Sequence, residues 1–277
     1  MKPFAFLAIF CGAAAVAFAH DDTVKLSDTP APVQKTIQAQ VADGKMGGIT
    51  RSIDDEETVF DVDLTAKDGS DRDFSVADDG TLLSTEVNLN ETPVATQKTI
   101  QSELSGGSLD SIDRNLADSE ISFDVEGAGK DGKEKHFTVA DDGTILSREV
   151  ALSDTPNVVQ KTINSRLEGG KVSGIDENFD DDGTNFDVTV TASDDVKKSF
   201  NVLADGTLAS EQIPLADVPP RARAAIKEHI GDGTVLRVDK SFIKERGVDP
   251  FEIEGRKDGK PFDFSVGPRG KFLGMDQ

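Results

Sequence analysis

The sequence predicts an α+β protein of four tandem modules, each one helix packed on a roughly four-stranded antiparallel sheet. Three observations carry this. The segment DTPAPVQKTI at Asp28 returns as ETPVATQKTI at Glu91, as DTPNVVQKTI at Asp154 and, worn, as DVPPRARAAI at Asp217, so that Pro30, Pro93, Pro156 and Pro219 recur every 63 residues. Behind each copy the apolar period changes from about 3.6 to two, the change from a helix to strands. Asp-Gly pairs then punctuate the alternating segments, a strong hairpin signal.

The first 19 residues read as a secretory signal: Lys2, an apolar run over 4–16, then Ala17 and Ala19 before an expected cleavage between Ala19 and His20. A lipid anchor on Cys11 would need a small residue before it, where Phe10 stands. No later stretch approaches the roughly 20 apolar residues that span a bilayer. The expected product is exported, periplasmic or extracellular, without membrane insertion. Cys11 is the single cysteine; leaving with the signal, it takes away any disulfide, thiolate metal site or cysteine nucleophile. Against 30 basic residues stand 52 acidic ones, a net charge of −22 that becomes one unit more negative when Lys2 is removed. Such a chain repels nucleic acid and anionic lipid and favours basic proteins or cations.

The expected modules span 20–86, 87–149, 150–212 and 213–277. Each opens on an apolar stripe at i, i+4, i+8: Val33, Ile37 and Val41; Ile100 and Leu104; Val159, Ile163 and Leu167; Ala222, Ile226 and Ile230. Thr29, Thr92 and Thr155 are the expected N-caps with the prolines at the first helical position, and Gly44, Gly106, Gly169 and Gly231 the expected stops. A short strand is expected near 49–53, 109–112 and 172–175. Alternation then puts Phe60, Val62 and Leu64 on one face and Asp61 and Asp63 on the other, repeated by Phe123 and Val125 around Asp124 and by Phe186 and Val188 around Asp187. The fourth copy keeps Phe251, Ile253, Phe262, Phe264 and Val266 but loses the regular Asp-Gly-Thr turn at Gly270, as a terminal cap does.

Several stretches are near-misses for chemistry. Residues 127–133, GAGKDGK, have the spacing of a phosphate-binding loop up to its lysine, but Glu134 stands where the hydroxyl belongs and two strands flank the segment. The stretch NFDDDG from Asn178 opens like a calcium loop, yet its twelfth position is Thr189. His136 and His229 fall on outward positions, and His20 has no second histidine to complete a copper site. No GxSxG, HExxH or dinucleotide-binding turn occurs. No catalytic residue, cofactor or metal ligand is therefore expected, and the protein is expected not to be an enzyme. The binding candidates are Asp61, Asp63, Asp124 and Asp187 on a solvated sheet face.

LSDTP at Leu26 and Leu152, FDV at Phe60, Phe123 and Phe186, and DDGT at Asp78 and Asp141 together resemble the PepSY-like modules, the group named for likeness to beta-lactamase inhibitory protein. The resemblance implies an exported binding or inhibitory module without catalysis. The chain departs from the inhibitory protein in lacking its disulfides and in having no Tyr or Trp, the usual interface anchors along with Arg. Its expected role is to bind an exported, basic protein, with inhibition of an exported enzyme such as a peptidase as one form of that role. The alternative expectation is an acidic envelope protein that sequesters divalent cations at low affinity.

Overall fold

The structure, a computed structural model, describes residues 22–275 except 43, 55–56, 68, 117–119, 181–182, 194–195, 245–246 and 258–259. The expected signal and its cleavage at Ala19 lie outside the described residues, as does Asp68 of the first expected hairpin turn. In chain order come β1 (Asp22–Thr23), α1 (Ala31–Val41), β2 (Lys45–Asp54), β3 (Glu57–Thr65), β4 (Asp71–Ala77), β5 (Leu82–Glu86), α2 (Val94–Leu104), β6 (Ser108–Asn115), β7 (Ser122–Ala128), β8 (Glu134–Ala140) and β9 (Ile145–Glu149). Then follow α3 (Asn157–Arg166), β10 (Lys171–Asp180), β11 (Gly183–Thr191), β12 (Lys197–Leu203), β13 (Leu208–Gln212), α4 (Pro220–Ile230), β14 (Thr234–Ser241), β15 (Phe251–Lys257), β16 (Lys260–Val266) and β17 (Phe272–Met275).

The expected fold class is overturned. The strands make a 17-stranded antiparallel sheet with four α-helices among the described residues, not four modules each with a helix on its own four-stranded sheet. The physical reason is that the fourth strand of a repeat does not end its sheet: β5 pairs with β6 through Ser84–Asn115, Thr85–Arg114 and Glu86–Asp113. In the same way β13 pairs with β14 through Ser210–Ser241, Glu211–Lys240 and Gln212–Asp239. Unpaired N–H and C=O groups at a strand edge seek a partner, and the strand after the next helix supplies it. Two compact units result, a first ending at Arg148 and a second beginning at Glu149.

The repeated decapeptide does a different local job from the one expected. The α-helices start one residue later, with Pro30, Pro93 and Pro156 as extended N-caps that offer no side-chain bond. Thr29, Thr92 and Thr155 instead close a 3₁₀ turn, donating Oγ1–H to the carbonyls of Leu26, Leu89 and Leu152 at 2.8–2.9 Å. Gln34, Gln97 and Gln160 reach back to the carbonyls of those threonines at 2.8 Å. Thr36, Thr99 and Thr162 donate to Gly80, Gly143 and Gly206 at 2.6–2.7 Å. These glycines turn the last hairpin of each repeat at positive φ, and a Cβ on Gly80 would lie 2.7 Å from Pro32. The motif therefore bolts the hairpin to the first turn of the helix, and glycine is required twice over. In α4 the corresponding residues are Val218, Arg223 and Ala225, and the bolt is absent from the sequence.

At the helix ends the chain first turns at Ala42, Ser105 and Glu168 with φ of 41°, 51° and 47°; the expected stops Gly106 and Gly169 follow at φ of 82° and 87°, and the fourth helix turns at Gly231 itself. The face toward the helices is apolar. In the first unit Val33, Ile37, Phe60, Val62, Phe74 and Val76 form one cluster and Ile100, Leu104, Phe123, Val125 and Phe137 another. The second unit holds two clusters of the same kind, around Phe186 and Phe200 and around Phe251 and Phe264. Each such side chain contributes about 1.5–3 kcal/mol on burial. No helix among the described residues is long and apolar enough to cross a membrane.

Candidate functional site

Strand register arranges the face away from the helices into lateral rows. In the first unit Asp63 faces Asp73, Glu86 faces Asp113, and Asp113 faces Asp124. The Asp73 N–H donates to Glu86 Oε2 at 3.2 Å and closes the gap between the two halves. Five carboxylates thus cross β3 to β7 side by side, and at about 4.8 Å per strand the row is roughly 19 Å long. Like charges directly opposite one another destabilise a sheet. The row shows that strain in its titration: burial, then Glu86, Asp124, Glu126 and Asp73, push Asp113 up to about 6. Asp73 is also raised, by burial first and then by Asp63, Asp61 and Asp71.

Next to this row runs a second of small polar groups, Asp61, Ser75, Ser84, Asn115 and Ser122. Ser75 donates to Asp61 Oδ1 at 2.6 Å and Ser52 to its Oδ2 at 3.3 Å. Asp124 accepts from Asn115 Nδ2 at 2.8 Å and from Thr138 Oγ1 at 2.6 Å, while Asp63 takes the Gly48 N–H at 3.1 Å. Neutral donors therefore hold these carboxylates in fixed orientations. The solvated face expected from the sequence is only partly so: Asp63 is exposed and Asp61 and Asp124 are half-buried, but Thr138, Ser122 and Ser147 are buried.

In the second unit Asp187 accepts from Asn178 Nδ2 at 2.7 Å and Asn201 Nδ2 at 2.8 Å. The second unit keeps acidic residues at the last two positions of the row, Asp239 facing Glu252, and replaces the first three. Thr189 faces Ser199, Gln212 faces Asp239, and Arg237, two residues before Asp239, donates Nη2–H to its Oδ1 at 3.0 Å.

Of the four residues singled out from sequence, Asp63 and Asp124 end the acidic row, Asp61 lies beside it, and Asp187 is in the other unit. Asp73, Glu86 and Asp113 were missed. Alternation around Phe74, Thr85 and Ile112 marks each as outward, but lateral register, which makes them one row, is not written in a single strand.

The other near-misses resolve locally. Residues 127–133 are a hairpin turn, Gly129 N–H to Lys133 O and Gly132 N–H to Gly129 O, both 2.8 Å. Asp181 and Asp182 of the calcium-loop-like stretch lie outside the described residues. His136 Nδ1 is 3.6 Å from Glu126 Oε1, and the His229 ring stacks on Phe272 at 4.4 Å. Among the described residues no group of three or more His, Cys, Asp or Glu is placed to hold a metal ion.

Neither the family models nor the curated proteins compared with the chain give a match. Among solved structures the chain is similar to a DUF2874 family protein from Bacteroides uniformis, with 17% identity and a TM-score of 0.35 over 47% of this chain and 94% of that one. It is similar to a protein from Bacteroides eggerthii proposed to be periplasmic, with 16% identity and 0.34 over 43% and 87%. It is also similar to a BLIP-like protein from Bacteroides fragilis, with 20% identity and 0.30 over 43% and 84%. At such scores the likeness is no ground for assigning a function.

Proposed function

We propose that the chain is a periplasmic, non-enzymatic binding protein whose acidic row in the first unit receives lysine and arginine side chains of a basic exported protein. The observation that carries this reading is the lateral alignment of Asp63, Asp73, Glu86, Asp113 and Asp124, an arrangement that costs folding energy and is not needed for packing, since the second unit builds the same strands with acids at two of those five positions, Asp239 and Glu252. Paired, oriented carboxylates raise the encounter rate with a cationic surface and fix its register. With no Tyr or Trp in the chain, affinity rests on charge and should fall steeply with salt. An exported enzyme, such as a peptidase with a basic surface, is a partner of the right chemistry, and occupation of its surface would make the protein an inhibitor.

The test is capture of basic proteins from the exported fraction by the full chain and by a variant carrying Asp63→Asn, Asp73→Asn, Glu86→Gln, Asp113→Asn and Asp124→Asn. The variant should lose its saturable partners while Asp187→Asn keeps them. Equal capture by all three, or capture indifferent to salt, would overturn the reading. Binding of many weak divalent ions with no protein partner would favour cation sequestration instead.

A further inference from the structure

On the helix side of the first unit, away from the acidic row, α1, the β3–β4 hairpin and β5 enclose an open groove of about 410 Å³. Its wall is apolar, with Val41, Leu64, Phe74 and Val87, and two guanidinium groups, Arg72 and Arg114, line it. Both are anchored by one residue. Arg72 Nη1 lies 3.1 Å from Glu91 Oε2, its Nε donates to Ser70 Oγ at 3.3 Å, and Arg114 Nη2 donates to the Glu91 carbonyl at 3.0 Å. Glu91 is itself pinned, accepting from the Asn88 N–H at 2.8 Å, and Asn88 holds its carboxyl below the usual range. A guanidinium carries five N–H donors, so these contacts leave Nη2 of Arg72 and Nη1 of Arg114 for a ligand. The Asp73 and Glu86 residues at the groove edge have the opposite strand parity to Phe74 and Thr85 and send their carboxylates to the other face, where they act on Asp113.

The second unit fills the matching positions differently. Phe200 faces Glu211 there as Phe74 faces Thr85 here. Arg166 stands at the helix position of Gln40, pairs with Glu211 Oε2 at 2.8 Å, and sets its Cζ 5.9 Å from the centre of the Phe242 ring. The first unit has the short Gln40 and Thr85 at those two positions, and both line the groove. The ion pair that bridges helix and strand in the second unit has no counterpart at Gln40 and Thr85.

We propose that this groove binds a carboxylate carried on a short apolar body, the carboxylate between Arg72 and Arg114 and the apolar part against Phe74 and Val87. A bidentate-capable pair of guanidinium groups suits a carboxylate, and the volume lies in the range of small-molecule sites. Two sources present that chemistry: a free medium-chain acid, and the terminal carboxylate of a peptide ending in an apolar residue. The inference does not rest on the acidic-row reading, although Asp73 and Glu86 border both faces.

Calorimetric titration of the full chain separates the possibilities, using hexanoate, hexanol, and an acetylated tripeptide ending in leucine with a free or an amidated terminus. Hexanoate or the free-ended peptide should bind at one site, and the tighter of the two identifies the source. Hexanol and the amidated peptide should bind at least about tenfold more weakly, the discrimination expected for a hydrogen-bonded charged group. Arg114→Met should weaken the acid by about tenfold or more. The double variant Gln40→Arg with Thr85→Glu should abolish binding while leaving the melting curve in place. Equal binding of hexanol and hexanoate, undiminished binding by both variants, or no saturable binding of either acid would overturn the proposal.

Discussion

The two units run the same strands and helices through the same apolar clusters, yet their outer faces differ. Across β3 to β7 the first unit sets Asp63, Asp73, Glu86, Asp113 and Asp124 in line; the second has Thr189, Ser199, Gln212, Asp239 and Glu252 at those positions, two acids in place of five, with Arg237 against Asp239. The core tolerates either face, because strand alternation decouples the two sides of a sheet. An acidic row is therefore a choice imposed on one unit, and experiments on matched positions can separate what the fold needs from what the row adds.

The largest effect should be common to both units. Phe123 and Phe186 occupy the same core position of two neighbouring repeats, one in each unit, each 1% exposed. Phe123→Ala and Phe186→Ala should each cost about 3–5 kcal/mol, the usual result of emptying an aromatic core position. Urea unfolding with hydrogen exchange resolved by peptide locates each loss. A large inequality between the two would mean that the cores differ as much as the faces do, and the comparison would fail.

Asp113→Asn should act in the opposite direction. Asp113 has a folded pKa of about 6, above the 3.8 of its free side chain. The folded state thus binds this proton more tightly. Its stabilising effect is complete below about pH 4 and is lost as pH rises through 6. The full shift corresponds to about 3 kcal/mol, but the group is partly exposed and screening reduces the expected effect to about 1–2 kcal/mol. At pH 7 the variant should be more stable than the parent by that amount, and its stability should no longer fall between pH 4 and 6. A retained slope would place the repulsion elsewhere. Binding of a basic partner should weaken over the same interval as pH falls, since protonation removes one charge from the row.

Gln212→Glu asks whether the second unit can be given the same strain. The new carboxylate would face Asp239 as Glu86 faces Asp113. A like-charge pair of this kind costs about 0.2–1 kcal/mol, and the nearby Arg237 should keep the loss at the low end. Amide exchange in β13 and β14 at pH 7 reports it. No change would mean that Arg237 compensates the pair in full.

How much of this was legible from sequence follows from the range of each signal. Helix stripes such as Val33 and Ile37, and alternation such as Phe60–Asp61–Val62, are local and were readable, and these residues are core or outer-face as their parity demands. Thr29 was read as a helix cap because Thr-Pro before an apolar stripe is ambiguous; only the 3₁₀ turn preceding it reveals that its hydroxyl serves Leu26. The continuation of β5 into β6 was not readable, since pairing across an intervening helix leaves no periodic trace in either strand. The acidic row depends on that same pairing, which is why its two ends were found and its middle was missed.

The smallest expected effect tests the row by salt. Adjacent rungs lie about 5 Å apart, inside the Debye length of about 8 Å at physiological strength, whereas the ends of the row, roughly 19 Å apart, lie outside it. Raising ionic strength from 0.01 M, where the Debye length is about 30 Å, therefore removes the long-range part of the repulsion and leaves most of the nearest-neighbour part. Protection of amides in β5 and β6 should increase by a few tenths of a kcal/mol, within the range of exposed charge pairs. In β13 and β14 the attractive Arg237–Asp239 pair, which salt weakens, opposes the repulsion of Asp239 and Glu252, so protection there should stay level or fall slightly. A rise in β5 and β6 with a flat or falling slope in β13 and β14 would support the contrast. A parallel rise in both would show that the overall charge of −22, and not the aligned row, is what salt relieves.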